Sequence, residues 1–129
     1  MTAFELTTDH GYVFFVAISY WLVNQILGNL VNVARGKYKI PVGNLYANGA
    51  MFLKDGKVDE AAWKARGMAF NQVQRGHQHL FELHSDAYAL LLLAAIFYPW
   101  SAARAGALYS IGSLLYGLGC KIFVHFFSS

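Results

Sequence analysis

The chain has 129 residues, of which 57% are hydrophobic and only 13% charged, with a formal net charge of +3. That length suits one domain, and a charged fraction about half that of an average soluble protein excludes an ordinary water-soluble globule. Nucleic acid is excluded as a partner because the basic residues are not interleaved with exposed aromatics, and the single cysteine, Cys120, cannot form an internal disulfide.

Three stretches hold the apolar weight: residues 12–33, residues 87–100 with a polar lead-in from residue 71, and residues 102–127. Each reaches the ~20 residues that an α-helix needs to cross ~30 Å of hydrocarbon. The expected fold is all-α: an integral membrane helical bundle, one domain over 1–129, with three transmembrane helices in this chain. The N-terminus carries Glu5 and Asp9 and no lysine or arginine, which does not fit a cleaved signal peptide, so the first helix is expected to stay. Within that helix Gln25, Gly28, Asn29 and Asn32 share one face and lead to Arg35. Small and amide residues on one face are the usual glue between membrane helices.

ARGKYKIPVGNLYANG, from Ala34, closes the first helix with basic residues and breaks at Pro41, Gly43 and the turn pair Asn48-Gly49. KDGKVDEAAWKAR, residues 54–66, mixes charge and alanine around Trp63, with Asp59 as an N-cap, which predicts a short interfacial helix in the first loop. Seven of the ten lysines and arginines (Arg35, Lys37, Lys39, Lys54, Lys57, Lys64 and Arg66) fall in this connection, and the opposite side offers only Arg104. The positive-inside rule then puts the first loop and the C-terminus on the cytosolic side, or its organellar equivalent, and the N-terminus across the membrane.

The second helix opens with RGHQHLFELHSD, residues 75–86. At 100° per residue from Arg75, His79 falls at about +40°, Glu82 at about −20°, Asp86 at about +20° and Asn71 at about −40°. Exposing such a stripe to hydrocarbon costs ~2.5 to 3.5 kcal/mol per charge, so it faces a bundle interior or a wet cavity. Two readings are open: the charges neutralise one another and hold helices together, or they line a ligand site. Where the stripe meets that of the first helix, the two would enclose a polar cleft suited to a zwitterion. His77 and His84 fall on the opposite face and lie about 10.5 Å apart along the axis, too far for a chelate, so no metal site is expected. A haem between His125 and His77 or His79 is the weaker alternative. Pro99-Trp100 makes a tight reversal, so the second and third helices are antiparallel neighbours.

ARGKYKI at 34–40, FNQVQRGHQHLFE at 70–82 and GSLLYGLG at 112–119 resemble the MAPEG family, the membrane-associated proteins in eicosanoid and glutathione metabolism, and are closest to its type-3 microsomal glutathione transferases. The resemblance covers nearly the whole chain. It implies a homotrimer with glutathione as co-substrate, held between adjacent subunits and open toward the basic side. Carried over residue by residue, Arg75 would bind a glutathione carboxylate and Glu82 its ammonium group, with Asn71 supporting the polar network. Arg35 would contribute from the end of the first helix, and Tyr116 would approach the thiol. A guanidinium matches a carboxylate in a fork, and a desolvated carboxylate favours an ammonium partner.

The chain departs from the family pattern in three places. His79 stands where the family has an asparagine, which adds a titratable ring to the substrate-binding set. Ser113 stands where members often have an arginine. The family has four helices, with a thiol-activating arginine beyond the third, and the fourth is expected to be lacking here; Lys121 is a candidate replacement cation. Two functional classes stay open. One is a glutathione-dependent membrane transferase or peroxidase, whose lipophilic substrate, an electrophile or a lipid hydroperoxide, reaches it through the lipid bilayer. The other is a catalytically degenerate structural subunit of a larger membrane protein complex, in which neighbouring membrane subunits replace the missing helix. The expected location is the endoplasmic reticulum or a mitochondrial or other organellar membrane.

Overall fold

The computed structural model describes residues 5–127, with side chains described through Cys120 and at Ile122. The side chains of Lys121 and His125, which carry expected roles, lie outside the described residues. Three long helices form the bundle: α1 (Thr8–Tyr38), α3 (Ala69–Phe97) and α4 (Pro99–Phe127), each packed against the other two. A short helix, α2 (Glu60–Ala62), passes through a π-helical turn, Trp63–Met68, into α3. The architecture is all-α, and among the described residues Thr8–Tyr38 and Glu60–Phe97 are long and apolar enough to cross a membrane.

On α1 the buried positions are His10, Val13, Val16, Tyr20, Val23, Leu27, Val31 and Ala34, a three- and four-residue rhythm that aims one stripe at the bundle. The opposite side is equally apolar: Phe14, Phe15, Ile18, Trp21 and Ile26 are all exposed. A helix that is apolar on its inner and outer faces suits lipid rather than water. Some of the polar atoms between helices are paired. Ser19 Oγ meets Ser110 Oγ at 2.7 Å and donates to the Val16 carbonyl, while the Tyr88 hydroxyl donates to the Ala17 carbonyl at 2.9 Å.

The expected reversal is present: α3 ends at Phe97, Tyr98 breaks the helical backbone, and Pro99 starts α4 at the position where a missing N–H costs nothing. The first loop takes a form different from the one expected. Leu53–Lys54 (β1) and Lys57–Val58 (β2) pair as an antiparallel hairpin, turned by Asp55 and Gly56, both at positive φ. Two such residues make the turn whose twist matches a hairpin, so Asp-Gly diverts residues 53–58 from helix. Helix begins only at Glu60, where the Asp59 carboxylate caps the Ala62 N–H at 3.0 Å as expected, and it runs unbroken into α3.

Candidate functional site

The side chains of α3 divide between two faces. Gln74 and His77 turn toward α1, while Arg75, His79 and Glu82 lie on the side shared with α4. The level of α4 is fixed where Gly76 crosses Gly117: a Cβ on Gly76 would stand 3.1 Å from the Gly117 Cα and carbonyl oxygen, so a larger residue would push the helices apart. This approach brings Tyr116 beside His79, with ring centroids 4.6 Å apart at 48°.

Arg75 and Glu82 form an ion pair at 3.4 Å, with side chains 49% and 46% exposed. Seven residues separate them, about 10.5 Å of helix axis, so both chains reach along the helix to meet. Gln78 adds a weak contact to the same carboxylate oxygen at 3.5 Å. The hydroxyls of Tyr46, from the first loop, and Tyr116 face the guanidinium, and the Cys120 thiol faces Tyr116. Beside them a groove of about 230 Å³ runs between α3 and α4, lined by His79, Leu83, Tyr109, Ser113 and Tyr116 among others.

Asn71 and Arg35 are placed elsewhere. The Asn71 amide accepts from the Ala47 N–H at 2.7 Å and donates to the Ala47 carbonyl at 3.0 Å, so both its polar atoms are engaged by one loop residue. The clamped Ala47 is next in the chain to Tyr46, whose hydroxyl faces Arg75. Arg35 donates to the Pro41 and Asn44 carbonyls at 3.0 and 2.8 Å and lies over the Phe70 ring, 4.8 Å from its centroid.

The polar stripe of α1 does not meet the Arg75 stripe within one chain. Gln25, Gly28, Asn29, Asn32 and Arg35 line a separate polar cavity of about 300 Å³, closed by Gln74 and His77 on the other side of α3. In place of the expected common cleft the chain has two separate polar regions on different faces, because the α3 residues that face α1 are turned around the helix from Arg75. Gln74 is buried there, with its Oε1 unpaired among the described residues. The His77 Nε2 pairs with Asn24 Oδ1 at 3.2 Å, which leaves it engaged rather than open to an axial ligand.

A model of the MAPEG family matches residues 13–124. The chain belongs to the MAPEG family. The match runs from the second turn of α1 almost to the end of α4, so both polar faces of this MAPEG bundle fall inside it. No solved structure matches the chain. Family membership and the two long apolar helices make it a membrane protein. Chemically, the Arg75 face offers one exchangeable cation and one exchangeable anion, ringed by phenol hydroxyls and an imidazole. Tyr46 is the member of this set that the sequence alone did not reveal, since nothing in NLYANG says which way the loop folds.

Proposed function

We propose that this MAPEG protein binds glutathione and is a membrane transferase or peroxidase of the type-3 microsomal kind, acting on lipophilic electrophiles or lipid hydroperoxides. One observation carries the reading: the Arg75–Glu82 pair is long, half-exposed and flanked by hydroxyls. An ion pair kept only to neutralise charge inside a bundle would close against its neighbours. An open pair can give up its partner for a ligand that brings both signs.

Glutathione brings both, with carboxylates, an ammonium group and a thiol. Arg75 holds a carboxylate in its guanidinium fork, Glu82 takes the ammonium, and Tyr46 adds a hydroxyl to the carboxylate end. Tyr116 and His79 then lie toward the thiol, where nearby positive charge from Arg75 favours the thiolate. The bound thiolate either forms a carbon–sulfur bond as it adds to or displaces a leaving group from an electrophile, or attacks the O–O bond of a hydroperoxide to give the alcohol and a glutathione sulfenic acid. A second glutathione converts the sulfenic acid to the disulfide and water. The lipophilic co-substrate enters from the bilayer, along the groove beside Tyr116.

The second polar cavity fits the same reading. A cyclic homotrimer joins unlike faces, so the Gln25–Asn29–Arg35 face of one subunit meets the Arg75 face of the next and completes the site. All three long helices span the membrane in this reading, with the hairpin and the basic loop on the cytosolic side of the endoplasmic reticulum or an organelle.

The test is titration of glutathione into the protein in nanodiscs, with turnover followed on a lipid hydroperoxide and assembly by native mass. Millimolar or tighter binding, lost in Arg75→Ala and Glu82→Gln, together with a homotrimer, supports the proposal. Absence of binding at millimolar glutathione, with co-purifying foreign subunits in place of a trimer, would assign the chain as a degenerate structural subunit of a larger complex.

A further inference from the structure

Asp86 stands one turn beyond Glu82 on the same stripe of α3, eleven residues past Arg75, about 16 Å along the axis. Within the chain its neighbours are apolar: Leu83, Leu90 and Leu93 are all exposed nearby. A carboxylate at such a depth is costly, and is retained where something meets it. Glu82 is met by Arg75, whereas Asp86 has neither an ion-pair nor a hydrogen-bond partner among the described residues.

Asp86 also lines a cavity of about 390 Å³ between α3 and α4. The walls are apolar, with Leu90 from α3 and Ala105 and Gly106 from α4, and the rings of Tyr20 and Tyr109, 5.1 Å apart, close its inner side. The Tyr109 hydroxyl is buried without a hydrogen-bond partner among the described residues. A dry cavity of 150 Å³ accommodates benzene, so this one has room for an alkyl chain of about twelve carbons.

These features select a charge as well as a shape. The carboxylate repels a fatty acid and gains nothing special from a neutral lipid. The faces of the tyrosine rings that line the cavity attract a cation. We infer that the cavity between α3 and α4 binds a long-chain amine, with its ammonium held by Asp86 against the Tyr20 and Tyr109 rings and its tail among the alanines and leucines. The cavity shares Leu83 and Tyr109 with the groove beside Tyr116, yet the inference requires no glutathione and stands apart from the Arg75 site.

Three photoreactive probes with one dodecyl-length diazirine tail, ending in an amine, an alcohol or a carboxylic acid, test this in phosphatidylcholine nanodiscs. Crosslinks are located by peptide mass spectrometry. The amine is expected to label the cavity residues about tenfold more than the alcohol, the scale of a desolvated cation–π and carboxylate contact, and the acid least. Asp86→Asn should bring the amine down to the alcohol, while Asp86→Glu and Glu82→Gln preserve the preference. Ala105→Phe should block all three probes by filling the cavity. Equal labelling by amine and alcohol in the wild type, or a preference that survives Asp86→Asn, overturns the inference. So does Asp86→Asn that alters the assembly mass and leaves the probe ratios unchanged, since the carboxylate would then be a subunit contact.

Discussion

Arg35 and Arg75 lie in opposite circumstances. Arg35 is at a helix end beside an irregular loop, where carbonyls have no helical partner, and it takes two of them while lying over Phe70. Arg66 does the same with the Tyr38 carbonyl, and Asn71 with both backbone atoms of Ala47. Arg75 is inside α3, where each carbonyl already serves the helix, so it finds only side chains: Glu82 and two tyrosines. The first region is a closed polar frame around an apolar cluster, and the second is an open pair. Residue type does not separate structure from site here. What separates them is the supply of free backbone acceptors.

The comparison predicts that stability and binding fail separately. The largest effect is expected from Phe70→Ala, which removes the fully buried ring at the centre of the loop cluster with Val31, Ala34, Ile40 and Phe52. Such a change costs about 3 to 5 kcal/mol, measured as a lowered unfolding midpoint in detergent, and should free the loop as a unit.

Next is Arg75→Ala. Loss of a charge-assisted contact to a ligand is worth about 1.5 to 3 kcal/mol, so glutathione affinity should fall at least tenfold while the unfolding midpoint stays within the small range of an exposed substitution. Asn71→Ala should show the reverse: about 1 to 3 kcal/mol of stability lost from the unpaired Ala47 groups, with a lesser loss of affinity through Tyr46. If Arg75→Ala destabilised the fold as much as Asn71→Ala, the ion pair would be structural and the contrast would disappear.

Much of this was legible in the sequence. The lengths of three apolar stretches predicted three long helices, Asp59 marked a helix start and Pro99-Trp100 the reversal, because capping and proline geometry are local; that Pro99 itself opens α4 was not anticipated. The α3 stripe was legible too, since helical angle alone aligns Arg75 with Glu82 and turns His77 away from His79. Two things were not. Asp55-Gly56 made a hairpin within a segment whose charge and alanine content read as helix, a case of turn chemistry overriding propensity. The partners of Asn71 and Arg35 were also hidden: angle places a side chain on a face but says nothing about a loop folding back over that face to offer Ala47, Pro41 and Asn44. Tyr46 entered the site by the same route.

The smallest predicted effect probes whether the two regions are mechanically separate along one continuous rod. Asp59→Ala removes the side-chain cap on the Ala62 N–H, a change worth about 1 kcal/mol and felt chiefly in the first turns. Beyond those turns the helix is fixed by packing: the Trp63 ring lies against Gly67 and Phe52, and Phe70 is enclosed. Amide exchange should therefore quicken about fivefold at residues 60–66 and remain unchanged from residue 75 onward, with glutathione affinity unaltered. Faster exchange reaching past Arg75 would mean that the cap and the open ion pair belong to one cooperative unit. The closed frame would then govern the site directly rather than through Asn71 and Tyr46 alone.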